Sequence, residues 1–335
     1  MLFVLNDNGV WMLRRPQDFP RSDLPGLIQQ ARARDLVPLY ERSRIRIADR
    51  RLDVPRTLPY VPPFNKWVAN LPGTTYFLPV NELSGLYINV LLTILNEECG
   101  YFVVDERNRF RPAGLARFAR SRGGHLNDDF SQGRAGTIGF VETWLCEFAA
   151  VEQGAILQNL GLMAEALSLG GFPHFAAHPY IWFETLGFRM ESIPFSRTIG
   201  AGSVQTTLLN ALRKNLPVPS ALGLEPHVKP YCPPYYPTMR DAVLAFVDFK
   251  YAEGRGTLRD PAAGGWLAEA KVQSAIPRCS ERTIEATIEY CEYIYNRYGR
   301  FPSNNGPFRT ILAYQAHHLD PDFYARFYRA EAVSR

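Results

Sequence analysis

The chain has 335 residues, 46% of them hydrophobic and 21% charged, with a formal net charge of +4. That length assures a sizeable core in one large domain or two ordinary ones, and the balance is that of a soluble globular protein. The small net charge gives no ground for nucleic acid or another polyanion as partner, and no run reaches the ~18 apolar residues that cross a bilayer.

Residues 1 to 15 alternate weakly between apolar and polar, which predicts a hairpin with its turn at Asn6 to Gly9. Ser22-Asp23-Leu24-Pro25 opens a helix running through LIQQARARDLV. From Asp53 to Pro79 six prolines and several aromatics predict an extended but ordered arm, because Tyr60, Phe64, Trp67, Tyr76 and Phe77 are costly to leave in water. Asn81-Glu82-Leu83 starts an apolar helix, and a strand follows at Tyr101 to Val104. A polar, glycine-rich loop covers Ser121 to Gly139.

Glu142 to Gly171 reads as one long helix, mostly apolar, stopped by Gly170-Gly171. Around it Glu147, Gln158 and Glu165 fall within about 20° of one another, and Glu152 with Asn159 forms a second polar strip. Such groups on a core helix need partners from backbone, a second subunit or a bound cofactor. The aromatic, proline-punctuated segment after Gly171 covers something apolar, a short strand and turn surround PYCPPYYP, and Arg240-Asp241 begins another helix. From about Gly264 three helices are predicted, at 281–298, 307–318 and 321–331. Gly299 ends the first, Pro307 starts the second and Asp320-Pro321 caps the third.

The run of acidic residue, Gln158-Asn159-Leu160, small residues and Gly170-Gly171 resembles the central helix of the nitroreductase-like flavoprotein family. Tyr101 to Glu106 followed by Arg109 to Arg120 looks like the strand and basic helix that precede it, and Arg42-Ser43-Arg44-Ile45-Arg46 looks like the segment that holds the flavin phosphate. The resemblance covers roughly residues 38 to 250. It implies an α+β fold, a nitroreductase-like mixed sheet flanked by helices; the three C-terminal helices have no counterpart in that core and read as a C-terminal helical extension, an added module or a dimer-embracing tail. It divides the chain into an N-terminal hairpin and helix (1–37), a flavin domain (38–255, with the 53–79 insertion) and the extension (264–335).

It also implies FMN as cofactor, a homodimer built across the central helix, and Arg42, Ser43, Arg44, Arg46, Gln158, Asn159, Gly170, Gly171 and Arg240 as cofactor-binding residues. The activity implied is a ping-pong oxidoreductase: reduced nicotinamide, NAD(P)H, reduces the flavin, which passes hydride or electrons to an apolar or aromatic acceptor. Two departures stand against the family pattern. Glu41 and Ile45 occupy places where arginines are usual, and Asn96-Glu97-Glu98-Cys99-Gly100 brings two acids where neutral amides usually meet the flavin. These favour the alternative of a flavin-free binding or assembly protein on the same fold.

Other candidates have plainer readings. Arg42 to Arg46 is also what an exposed basic strand beside Asp49 looks like, and Gln158, Asn159 and the glycines also suit helix packing and a cap. Glu152 finds a local donor as readily as a cavity. His317-His318-Leu319-Asp320 suggests a metal-dependent hydrolase, but adjacent helical histidines point about 100° apart, so no metal is expected. His174 is a candidate proton donor, and His178 lies between prolines. The five cysteines, at 99, 146, 232, 279 and 291, are scattered and suggest neither zinc nor disulfides. With no signal-peptide pattern at the start, a reducing cytoplasm is the expected location.

Overall fold

The computed structural model describes residues 1–14, 24–65, 69–175, 178–260 and 267–320, with Asp322 and Arg326 beyond them. The Ser22-Asp23 cap, Trp67 and nearly all of the helix expected at 321–331 lie outside the described residues.

Strands β1 (Leu2–Asn6) and β2 (Gly9–Leu13) form the expected hairpin, its turn closed by the Asn8 amide on the Asn6 side chain at 2.9 Å. The next helix divides into α1 (Leu24–Arg32) and α2 (Leu36–Ser43), because Arg34 turns left-handed at φ 58°. The chain passes directly from α2 into β3 (Arg44–Ala48). The described part of the proline-rich arm packs as expected: Val54 and Val61 are buried before β4 (Thr75–Pro79) and β5 (Asn81–Glu82). Glu82 caps α3 (Leu83–Ile94) by accepting from the Ser84 and Gly85 amides at 2.8 and 3.0 Å.

After β6 (Phe102–Asp105) the basic helix expected at 109–120 is absent. Consecutive left-handed residues, Arg109 (φ 56°) and Phe110 (φ 55°), break it, and β7 (Arg111–Pro112) and short 3₁₀ turns take its place. Strand β8 (Ala135–Thr137) pairs parallel to β6. The Thr137 hydroxyl then caps α4 (Ile138–Ala166), which begins four residues before the expected Glu142.

Gly170-Gly171 does not stop the helix, which ends at Ala166; both glycines lie inside β9 (Leu169–Phe175). Next come α5 (Pro179–Thr185), β10 (Arg189–Pro194), α6 (Phe195–Thr198), α7 (Ser203–Ala211) and β11 (Pro217–Gly223). Helix α8 (Met239–Tyr251) starts where expected, capped by Thr238, and α9 (Glu269–Ala275) leads to α10 (Glu281–Tyr298). The last of these matches its expected span, with Ser280 as N-cap and left-handed Gly299 (φ 73°) as C-cap. Residues 307–318 are not helical but form β12 (Phe308–Arg309) and β13 (Leu312–His318).

The fold is mixed α+β. A six-stranded sheet runs in the order β3-β2-β1-β4-β13-β9, every neighbouring pair antiparallel. Beside it stand two two-stranded sheets, β10-β11 and β12-β5, and the three-stranded β7-β6-β8. The large sheet therefore takes strands from the beginning, the middle and the end of the chain.

Its two faces carry different cores. One face packs Phe3, Leu5, Tyr76, Leu78 and Ala313 against Trp182 and Phe183 of α5. The other turns Phe77, Tyr314 and Ala316 toward Leu157, Leu160 and Ala164 of α4. Alternation along β4 and β13 assigns each side chain to its face. A separate helical core gathers α3, α8 and α10 around β6. Among the described residues no helix is long and apolar enough to cross a membrane.

Candidate functional site

The most unusual chemistry in the large sheet lies on the Tyr76 face of β9. A line of rings crosses it. His317 meets Phe172 (6.4 Å between centroids), Phe172 meets His174 (6.1 Å), His174 meets Tyr76 (5.3 Å), and Tyr76 stacks on Trp182 (5.3 Å, 20° between planes). His178, just beyond, lies edge-on to Tyr60 at 6.1 Å.

Three polar atoms of this cluster, Tyr76 Oη, His174 Nε2 and His178 Nδ1, are buried without a hydrogen-bond partner among the described residues. Buried polar atoms are nearly always satisfied, so three together mark a place suited to a polar group. His174 Nδ1 donates to the Phe175 carbonyl at 2.9 Å, which leaves Nε2 of the neutral ring an acceptor without a donor. Burial holds the His174 pKa below its ordinary value, with the hydrogen bond to Phe175 opposing. Such a ring is neutral near pH 7 and can take up or release a proton.

The glycine pair sits in the same strand, Gly170 opposite His317 and Gly171 opposite Ala316. A Cβ on Gly170 would overlap the His317 imidazole, and one on Gly171 would overlap the Tyr314 phenol. The space each glycine leaves is thus filled from within the chain. Adjacent strand positions face opposite ways, so His317 and His318 cannot share one ion. No group of three or more His, Cys, Asp or Glu side chains able to hold a metal occurs among the described residues.

The arginine segment lies elsewhere. Strand β3 is one edge of the six-stranded sheet and β9 the other, five strand spacings or about 24 Å apart. Arg44 is paired to Glu41 and lies over the Trp11 and Tyr40 rings at 4.7 Å from each. Arg46 lies over Trp11 at 5.5 Å and donates to the Asn8 carbonyl at 3.1 Å. Ser43 Oγ donates to Leu39 O at 2.6 Å, and Arg42 to Gln30 Oε1 at 3.3 Å. Arg240, on α8, forms a bidentate pair with Glu285 of α10 at 2.7 and 2.9 Å.

No family model, curated protein or solved structure matches the chain.

Tested against FMN, these residues do not come together within a single chain. A flavin phosphate at Arg42 to Arg46 is too far from Gly170-Gly171 of the same chain for the ribityl chain to span, and Arg42, Ser43, Arg44, Arg46 and Arg240 already hold partners inside the chain. One of the two acids in the expected flavin loop has a structural task instead. Glu97 accepts from Ser280 Oγ at 2.5 Å and Thr283 Oγ1 at 2.9 Å, tying the start of α10 to the loop after α3. The Ser280 hydrogen bond, foremost, holds its pKa below the ordinary carboxylate value.

On α4, Gln158 and Asn159 are exposed, and the amide buried by that helix is Gln153, which no local sequence pattern marks. Its Oε1 accepts from the Ile311 and Leu312 amides at 2.9 and 3.1 Å, and its Nε2 donates to Asn81 Oδ1 at 2.5 Å. Glu152 is exposed and accepts from Asn81 at 2.6 Å, a local donor. At the other end of α4 the buried Glu142 accepts from the Ser303 amide (2.6 Å), the Ser303 hydroxyl (2.9 Å) and the Asn304 amide (2.8 Å). Neither Tyr76 and Trp182 nor Gln153 carries a local motif; pairing across the sheet is what gives them their setting.

Proposed function

We propose that the chain is a flavin-free binding or assembly protein built on a nitroreductase-like scaffold, and that it self-associates through α4. The single observation that carries this reading is the separation of the two halves of the expected flavin site. Arg42 to Arg46 and Gly170-Gly171 stand on opposite edges of one sheet, and their side chains or open spaces are already engaged.

Self-association rests on the outward face of α4. Phe140, Trp144, Val151 and Leu162 are exposed and fall within about 40° around the helix, a strip about 33 Å long. A row of that kind on a soluble surface marks an interaction site. If two copies cross antiparallel at Gln153, Trp144 meets Leu162 and Val151 meets Ala155, while Glu147 comes beside Gln158 and Asn159. The strip is thus complementary to itself, which a two-fold interface needs.

A flavin-dependent oxidoreductase is the second reading. Its support is the ring cluster, where Tyr76, His174 and His178 leave unpartnered polar atoms among aromatic planes beside the glycines. A titration with FMN separates the two. The first reading expects colourless protein that takes up no added flavin, and tight uptake would sink it.

A further inference from the structure

A cavity of about 620 Å³ opens between the loop after β6 and the start of α7. Four arginines line it, Arg107, Arg109, Arg111 and Arg297, and no Asp or Glu is among its lining residues. Behind them stand two buried carboxylates, Asp105 and, across Ser303, Glu142, whose charge Arg107 also meets. Asp105 is fully buried, accepts from the Tyr293 and Tyr298 hydroxyls at 2.7 and 2.5 Å, and lies 3.3 Å from Arg297 Nε and 3.9 Å from Arg107 Nε.

Two of the arginines are held in place. Arg297 donates to the Gly200 carbonyl at 2.9 Å; Arg107 donates to Ser303 Oγ at 2.6 Å and lies 3.8 Å over the Tyr298 ring. Arg109 and Arg111 are exposed, and their side chains make no hydrogen bond or ion pair among the described residues. The opposite wall adds donors. Gly202 caps α7 without a side chain, and its own amide is taken by Gln205 Oε1 at 3.1 Å. Among the described residues no acceptor meets the amides of Ser203, Val204 and Gln205 at this helix start.

We propose that this cavity binds a small molecule through its diphosphate group, of the nucleoside-diphosphate type. Four guanidinium forks against these two carboxylates still leave an excess of positive charge that a phosphate oxygen cluster neutralises, with bidentate geometry available at Arg109 and Arg111. The open first turn of α7 supplies amide donors and the positive end of its dipole to the same anion. The volume lies within the range of small-molecule sites, so the diphosphate brings an organic body with it. Glycines, Ser203 and Gln205 make that part of the lining polar and suit a sugar-like body.

The site shares no residue with the ring cluster or with Arg42 to Arg46, so it is read independently of flavin binding. Calorimetric titration of the purified full chain with inorganic pyrophosphate and with ADP, at fixed ionic strength, tests it. Both are expected to bind, and the double substitution Arg109→Ala/Arg111→Ala is expected to weaken both by about tenfold or more, since hydrogen bonds to charged groups contribute at least a decade of affinity. Both side chains are exposed, so the fold is expected to survive, and circular dichroism checks this. Arg117→Ala, on a surface arginine paired with Glu285 and Glu289, is expected to leave binding unchanged. Failure of the unaltered chain to bind either probe, or equal binding by the double variant, overturns the proposal.

Discussion

Glu142, in the first turns of α4, accepts hydrogen bonds from both the amide and the hydroxyl of Ser303, at 2.6 and 2.9 Å across 161 positions of sequence. Burial pushes its pKa up, and the three hydrogen bonds from Ser303 and Asn304 oppose that shift. Glu142→Ala leaves three donors facing no acceptor and is expected to cost about 3 kcal/mol of stability. Glu142→Gln, which keeps one acceptor oxygen, is expected to cost less. Urea unfolding of the two variants checks the order, and an alanine variant as stable as the parent would refute the lock.

Gly171 and Tyr314 share one space on the α4 face of the sheet. Gly171→Ala is expected to destabilise by about 1–3 kcal/mol, because the phenol must leave its position in a packed layer. In a Tyr314→Ala background the same change is expected to cost less, by at least about 0.5 kcal/mol. A double-mutant cycle measures the difference, and strict additivity would show that the two do not meet.

The lowered pKa of His174 fixes a direction of pH dependence. The unfolded chain binds this proton near the ordinary value of 6.5, whereas burial first and foremost makes the folded chain bind it only at lower pH. Between those two values the unfolded state carries more protons, so acidification favours unfolding. Stability from this group is full above 6.5 and is lost as pH falls toward the folded value. His174→Phe, which keeps an aromatic ring among its neighbours, is expected to flatten that part of the profile. An unchanged slope in the variant, read by thermal unfolding from pH 7 to 5, would contradict the assignment.

The outward strip of α4 makes a separate claim about assembly. The parent chain is expected to run as a dimer in light scattering coupled to size exclusion, and Trp144→Asp as a monomer with unchanged helicity. A parent chain that stays monomeric at high concentration would remove the role given to α4.

Local chemistry made parts of the fold legible. The Asn6 to Gly9 turn, the Gly299 end of α10 and the described part of the proline arm carry their reasons within a few residues. The strand at 312–318 read as a helix because Pro307 imitates a helix start, and because a strand buried on both faces shows no clean alternation. Gly170-Gly171 read as a helix stop for a similar reason. Their need for small side chains comes from Tyr314 and His317 on a strand far along the chain, and only the pairing of β9 with β13 reveals it. Tyr76, Gln153 and the arginine cavity depend on the same kind of distant contact.

The most direct test of the account is a titration of the purified chain with FMN, followed by flavin absorbance and fluorescence. The separation of Arg42 to Arg46 from Gly170-Gly171 across the sheet leads to colourless protein whose spectrum with added FMN is that of free flavin. Purification of a yellow protein, or saturable uptake of one FMN per chain, would contradict it.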